Sequence, residues 1–153
     1  MKTALVLGSG FIGTHMVNRL KREGYWVRCV DLEYPPFSVT EADHFVIGDL
    51  RDSRLVKEIM GYAGCKRNPH QTFALHLDKS FDEVYLFASL MGGAGFIFTK
   101  QNDADIMFDS TSIVLNVLNT LKQRKDKHNT KIFFSSSACV YPEYNQLDPN
   151  NPK

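Results

Sequence analysis

The sequence predicts an α/β fold, a doubly wound parallel sheet with helices on both faces in three layers and the strand order 3-2-1-4-5. Short apolar runs alternate with amphipathic helical patterns along the chain, which is typical of parallel strands joined by helical crossovers. The 153 residues suffice for one domain spanning 1–153, and their 43% hydrophobic and 23% charged content is that of an ordinary globular protein.

Five short apolar runs predict the strands, because they are too short for helices and lack helical spacing. In chain order they cover residues 3–7, 25–32, 45–47, 84–88 and 132–135.

Apolar residues at helical spacing predict three helices. Ile12, Met16 and Leu20 share one face of the first, and Gly24 follows as a C-cap. The second surrounds residues 55–60 and the third runs over 103–125. Three segments are predicted as loop or turn: 61–80, the glycine-rich 91–95, and 142–153.

Residues 8–13 form a Gly-x-Gly-x-x-Gly loop between the first strand and the first helix. The first glycine allows a tight turn, the second lets the backbone approach a pyrophosphate, and the third lets the helix pack on the strand. The helix N-terminus offers N–H groups to the anion. The loop therefore predicts a Rossmann-type dinucleotide site contacted by Gly8, Gly10, Phe11, Ile12 and Gly13.

Acidic residues follow the second and third predicted strands. Asp31 lies 18 residues after the last glycine of the loop, where a carboxylate binds the adenosine ribose and repels a 2′-phosphate, which predicts NAD rather than NADP. Asp49 is expected to accept from the adenine amino group and Leu50 to cover the ring. An open alternative is that Asp49 or Asp52 caps the next helix. Ala88, ending the fourth predicted strand, is a further candidate cofactor contact.

Charge and cysteine content exclude several function classes. Eighteen basic against 17 acidic side chains leave a net charge of +1, so no surplus indicates nucleic acid. No apolar run approaches the roughly 20 residues that span a bilayer. The three cysteines contain no Cys-x-x-Cys and the histidines no metal spacing, which predicts neither a metal site nor a disulfide framework and fits a reducing cytoplasm.

Two further stretches resemble the extended short-chain dehydrogenase/reductase family, which contains NAD-dependent nucleotide-sugar epimerases and dehydratases. Residues 82–97, with Met91, Gly92 and Gly93, and residues 134–144, Phe-Ser-Ser-Ser-Ala-Cys-Val-Tyr-Pro-Glu-Tyr, look like segments of the GDP-mannose 3,5-epimerases. GDP-fucose synthases are the nearest alternative within the family. The resemblance covers nearly the whole chain but only about the first half of such an enzyme.

The resemblance implies a substrate, a cofactor and catalytic residues. It places Ser137 at the serine that hydrogen-bonds a sugar oxygen, and Cys139 at one of two acid/base groups that invert a sugar carbon. A thiolate can act as that base if its surroundings lower its pKa. Met91, Gly92 and Gly93 become candidate substrate contacts. NAD is the implied cofactor and a nucleotide sugar, with GDP favoured, the implied substrate.

The sequence also departs from the family pattern. The family's Tyr-x-x-x-Lys does not follow the serine segment, and the match at residues 62–66 is attributed to chance. The glycine loop is one residue shorter than usual, Leu86 and Leu90 replace polar residues, and Asp109-Ser110 replaces an Asn-Asn pair.

These departures lead to three expectations. The C-terminal part of the family fold, with its substrate domain, is expected to be absent and the chain inactive alone. The main alternative is a non-catalytic module that binds NAD or a partner chain. Residues 132–135 are expected to form an apolar sheet edge that favours a homo-oligomer or pairing with a separate chain that supplies the missing half.

Overall fold

The computed structural model describes residues 1–36, 38–61, 80–124, 129–137 and 140–142. Its elements in chain order are β1 (Thr3–Leu7), α1 (Phe11–Arg22), β2 (Trp26–Asp31), β3 (His44–Ile47), α2 (Ser53–Met60), β4 (Glu83–Leu86), α3 (Ala94–Ile97), α4 (Asp103–Gln123) and β5 (Lys131–Phe134). The predicted loops 61–80 and 142–153 fall almost entirely outside these residues, as do Cys65 and Cys139.

The five strands form one parallel sheet in the order β3-β2-β1-β4-β5, which confirms the predicted fold class. Leu7 of the central strand pairs with Val30 on one side and Leu86 on the other, while Asp31 pairs with Ile47. All strand carboxyl ends therefore meet along one edge of the sheet, and the loops that follow them are neighbours in space.

Both faces of the sheet are covered at β1 and β2, which explains why these strands are largely apolar runs rather than alternating ones. Every residue of β1 is buried. Leu5 and Leu7 pack against α2 and α4, whereas Ala4 and Val6 pack against α1. The alternation of side chains across a strand thus divides one apolar run between two cores.

The prediction for residues 91–95 as a turn is wrong at its end, because α3 begins at Ala94. The carbonyl of Gly93 accepts from the amides of Phe96 and Ile97, which starts one helical turn. The Phe96 side chain lies so close to Gly92 that a Cβ there would meet it at 2.7 Å. Local packing thus outweighs the low helix propensity of glycine.

Strand β5 contacts the sheet through β4 and leaves much of its apolar surface open. Ile132, Phe133 and Phe134 retain 46%, 49% and 54% of their exposure. Strand β5 begins and ends one residue before the predicted run. It forms one edge of the described sheet.

Candidate functional site

A cavity of about 530 Å³ lies at the carboxyl edge of the sheet, among the loops that follow β1, β2, β3 and β4. Each residue predicted to contact the cofactor lines it. The lining comprises Gly8, Gly10, Phe11, Ile12, Gly13, Asp31, Leu32, Gly48, Asp49, Leu50, Arg51, Phe87, Ala88, Ser89, Leu90, Asp109, Ile113 and Ser135. Residues far apart in the sequence thus converge where open parallel sheets bind ligands.

The glycine loop owes its shape to two close approaches. Gly8 has φ +100°, and a Cβ there would lie 2.7 Å from the Ala88 amide nitrogen. A Cβ on Gly13 would lie 1.8 Å from the Gly8 carbonyl oxygen. Gly10 differs, because nothing lies within 4 Å of its missing Cβ. Two glycines therefore serve packing, and the third keeps open the space in front of the loop.

The N-terminus of α1 has the form of an anion site. Gly10 is the N-cap residue and brings no side chain to cap the helix, and the first turn contains no acidic residue. The first N–H groups of a helix have no acceptor within it. The loop is held by Thr14, whose hydroxyl donates to the Ser9 carbonyl at 2.7 Å. These residues fit the pyrophosphate of a dinucleotide.

Asp31 anchors the loop as well as facing the cavity. Its Oδ2 accepts from the backbone amide and, at 3.0 Å, the hydroxyl of Ser9. Its Oδ1 accepts from the Leu32 amide at 2.7 Å. A carboxylate offers about four acceptor sites, so about one remains for a ribose hydroxyl. Asp31 therefore keeps acceptor capacity for the ribose contact predicted from the sequence.

The turn between β3 and α2 carries an ion-pair cluster. Arg51 donates through Nε and Nη2 to Asp49, with an Nη2–Oδ2 distance of 2.6 Å, and through Nη1 to Asp109 at 2.7 Å. The hydrogen bonds from Arg51 lower the pKa of Asp49, while Asp49 and then Asp109 raise that of Arg51. The sequence left open whether Asp49 or Asp52 caps α2. Asp52 is the cap, because its side chain accepts from the Arg54 amide.

Helix α4 connects the two walls of the cavity. The Asn116 amide donates to the carbonyls of Leu50 and Arg51 at 3.1 and 2.9 Å. The Ser110 hydroxyl accepts from the Leu90 amide at 3.1 Å. Together with Asp109, these residues hold the loops after β3 and β4 from a single helix.

The polar residues of α4 and Arg51 were not predicted as site residues from the sequence. They act across about 20 to 66 positions of the chain, and no spacing rule connects them. The only sequence signal was the departure at Asp109-Ser110. The interpretation of Leu86 also needs correction: it is 2% exposed in the core and does not line the cavity, whereas Leu90 does.

The candidate catalytic and substrate residues lie outside the cavity lining or outside the described residues. Ser137 is exposed, and its carbonyl accepts from the Val140 amide; Ser135, two positions earlier, lines the cavity. Cys139 falls outside the described residues. Met91 is 59% exposed and, with Gly92 and Gly93, lies between the lining residue Leu90 and α3. Their roles remain predictions.

The described ranges contain neither a grouped metal-ligand set nor a helix that could span a membrane. There, no three His, Cys, Asp or Glu side chains are grouped so that they hold a metal ion. No helix among those residues has the length and hydropathy needed to cross a bilayer.

Comparison with known proteins agrees with this geometry. The NAD dependent epimerase/dehydratase family profile matches residues 4–153. The chain is 31% identical over 153 residues to GDP-mannose 3,5-epimerase of Arabidopsis thaliana, covering 99% of this chain and 34% of that protein. It is 32% identical over 150 residues to UDP-glucose 4-epimerase GEPI42 of Cyamopsis tetragonoloba, covering 95% and 39%.

A solved structure shows the same arrangement of strands and helices. UDP-glucose 4-epimerase from Bifidobacterium longum, in complex with NAD⁺ and UDP, superimposes with a TM-score of 0.63 at 26% identity, covering 92% of this chain and 38% of that one. The chain thus spans little more than a third of the length of the proteins it is similar to.

Proposed function

The chain belongs to the NAD dependent epimerase/dehydratase family, and we propose that it forms the cofactor-binding portion of a nucleotide-sugar epimerase that acts on a GDP-sugar such as GDP-mannose. NAD, the predicted cofactor, is confirmed as the cofactor of the family. The odd cysteine count, with Cys29 a buried free thiol, supports a reducing compartment such as the cytoplasm.

One observation carries the proposal. A single cavity is lined by Gly10, by the start of α1 and by Asp31. The space in front of Gly10 is open, and no side chain caps the helix. An extended dinucleotide needs an anion site for its pyrophosphate and an acceptor for its ribose, in that order along the sheet edge. The relatives' names mention GDP-sugars and UDP-sugars. The segment 134–144 favours a GDP-sugar, because its Ser-Ala-Cys-Val-Tyr-Pro-Glu string resembles that of the GDP-mannose epimerases.

Residues of this chain would have separate roles toward the sugar. When bound, NAD supplies oxidation of a sugar hydroxyl, which acidifies the neighbouring C–H bond. Ser137 orients the sugar oxygen by a hydrogen bond, and Cys139 removes or returns a proton at the acidified carbon. The tyrosine that takes the hydroxyl proton, with its lysine, would come from chain beyond residue 153 or from a second polypeptide.

A second candidate is a module that binds NAD without catalysis. It is supported by the cavity, whose lining includes every predicted cofactor contact but neither Ser137 nor residues 91–93. Both candidates require the same cofactor cavity, so binding alone does not separate them. Proton exchange at a sugar carbon does.

The test combines calorimetry with isotope exchange on the 153-residue polypeptide. We expect saturable NAD binding, and no incorporation of deuterium into GDP-mannose during incubation with NAD in deuterated water. Losing one positioned general base reduces rates by roughly 10²–10⁴-fold. Adding a polypeptide that supplies the tyrosine and lysine should restore exchange.

The outcomes distinguish the candidates. Restored exchange that disappears in Cys139→Ala supports the epimerase, and exchange that never appears supports the binding module. Exchange by the 153-residue polypeptide alone would overturn the need for the tyrosine. A wild-type chain that binds no NAD would contradict both candidates.

A further inference from the structure

We propose that Asp109 on α4 is a specificity-determining residue that favours NAD over NADP, because it holds the Arg51 guanidinium that would otherwise pair with a 2′-phosphate. This inference rests on the proposed function, since it requires that the cavity bind a dinucleotide. It adds a residue 78 positions away from Asp31, the specificity residue that the sequence predicts.

The charges that line the cavity are unfavourable to an additional phosphate. Among the lining residues, Asp31, Asp49 and Asp109 contribute three carboxylates and Arg51 a single guanidinium, a balance of −2. A phosphomonoester brings about −1.5 to −2 at neutral pH. A 2′-phosphate at this end of the cavity therefore needs a cation with a free donor edge.

Arg51 is the cation in question, and its donor edges are engaged. Nε and Nη2 contact Asp49 at 2.6 to 3.0 Å, and Nη1 contacts the Asp109 carboxylate at 2.7 Å. Arginine is the residue that accommodates a 2′-phosphate in dinucleotide sites of this type. Here a 2′-phosphate would have to displace a carboxylate before it could use Arg51.

The position of Arg51 relative to the ribose follows from the sheet register. Asp31 pairs with Ile47, and the Gly48 amide donates to the Asp31 carbonyl at 2.8 Å. Neighbouring strands lie about 4.8 Å apart. The turn that carries Arg51 therefore begins beside the backbone of Asp31, the residue predicted to bind the ribose.

Two carboxylates pair with Arg51, and removing that of Asp109 is the more selective way to free the guanidinium. Its side chain is 17% exposed and that of Asp49 37% exposed, so the Asp109 pair is less screened by solvent. Asp49 also accepts from the Arg51 amide and so stays with the turn. Removing the Asp109 charge frees Nη1 while Asp49 keeps Arg51 in place.

The experiment is calorimetric titration of the wild-type chain and of Asp109→Asn with NAD and with NADP at one ionic strength. We expect the NADP dissociation constant to fall about tenfold in Asp109→Asn, equivalent to about 1.4 kcal/mol. The NAD constant should change by less than the NADP constant, because NAD brings no 2′-phosphate to the freed Arg51 donor. Asp105→Asn, the same charge change one turn earlier in α4, is the matched control and should leave both constants unchanged.

A second variant tests the route through Arg51. Adding Arg51→Ala to Asp109→Asn should abolish the gain in NADP affinity. A gain that survives without Arg51, or no gain in Asp109→Asn, would overturn the inference. A wild-type chain that binds neither dinucleotide would instead refute the proposed function, so the two failures are distinguishable.

Discussion

Gly10 and Gly13 belong to the same motif but should respond to alanine in opposite ways. A Cβ on Gly13 would lie 1.8 Å from the Gly8 carbonyl oxygen, whereas a Cβ on Gly10 would meet nothing within 4 Å. Gly10 also has φ −61°, which any residue adopts. Gly13→Ala should therefore damage the fold, and Gly10→Ala should damage only the binding of the dinucleotide.

The magnitudes follow from these distances. Backbone must move to admit the Gly13→Ala methyl group, and overpacking of this severity lowers the free energy of unfolding by about 3 kcal/mol or more. For Gly10→Ala, the reduced entropy of the unfolded chain adds about 0.4 to 1 kcal/mol. Alanine is a poorer N-cap than glycine, which offsets that gain. The stability of Gly10→Ala should therefore stay within about 1 kcal/mol of wild type.

Binding should show the reverse order. The Gly10→Ala methyl group occupies the space that a pyrophosphate would approach, and a misfit of about 1 to 3 kcal/mol weakens NAD roughly 5- to 150-fold. Urea denaturation and calorimetric titration measure the two effects separately. Gly95→Ala is the matched control, because its Cβ also enters open space but away from the cavity.

Two results would refute this reasoning. If Gly10→Ala binds NAD as tightly as wild type, the pyrophosphate does not lie against the glycine loop. If Gly10→Ala is destabilised as much as Gly13→Ala, open space at Gly10 is not what separates the two positions.

Three further predictions concern other parts of the chain. Asp31→Ala should weaken NAD binding by about 1 to 3 kcal/mol in calorimetry, since a charged acceptor is lost; unchanged affinity would exclude a ribose contact. Burial raises the pKa of Cys29 to about 12. The protonated thiol therefore contributes fully to the free energy of unfolding below the unfolded thiol pKa of about 8.5, and this contribution is lost as the pH rises from there toward the folded pKa. At pH 8, an alkylating reagent should modify Cys29 only after the chain is unfolded, as read by mass spectrometry. Rapid modification of the folded chain would contradict the burial of Cys29. Phe134→Lys on the half-exposed β5 should reduce any self-association seen in sedimentation of the 153-residue polypeptide, whereas equal association would place the contact elsewhere.

The sequence was sufficient for the fold because the fold depends on local patterns. The run at residues 4–7 is continuously apolar since β1 is covered on both faces, and this pattern is visible in the sequence itself. The glycine motif is also a local pattern, because the chain must turn sharply between β1 and α1. It therefore predicted the strand before it and the helix after it. Strand ends were less accurate. Strand β4 ends at Leu86 because the amides of Phe87 and Ala88 both turn to the Leu7 carbonyl.

The site was only partly predictable, because some of its contacts join distant residues. Nothing in the spacing of Arg51 and Asp109, 58 positions apart, indicates that they meet. Asp49 illustrates a second limit. An acidic residue after β3 fits both an adenine contact and a helix cap. Only in the folded chain is it visible that Asp52 caps α2 while Asp49 binds Arg51.

Two of the departures from the family pattern, Leu86 and Leu90, leave backbone contacts around the cavity in place. The Leu86 side chain packs in the core, while its carbonyl accepts at 3.0 Å from the hydroxyl of Ser135, a residue that lines the cavity. Leu90 is likewise held through its amide, by the hydroxyl of Ser110. Since backbone groups make these contacts, a change of side chain at either position leaves them intact. Leucine at positions 86 and 90 therefore keeps the backbone hydrogen bonds that connect the loops around the cavity.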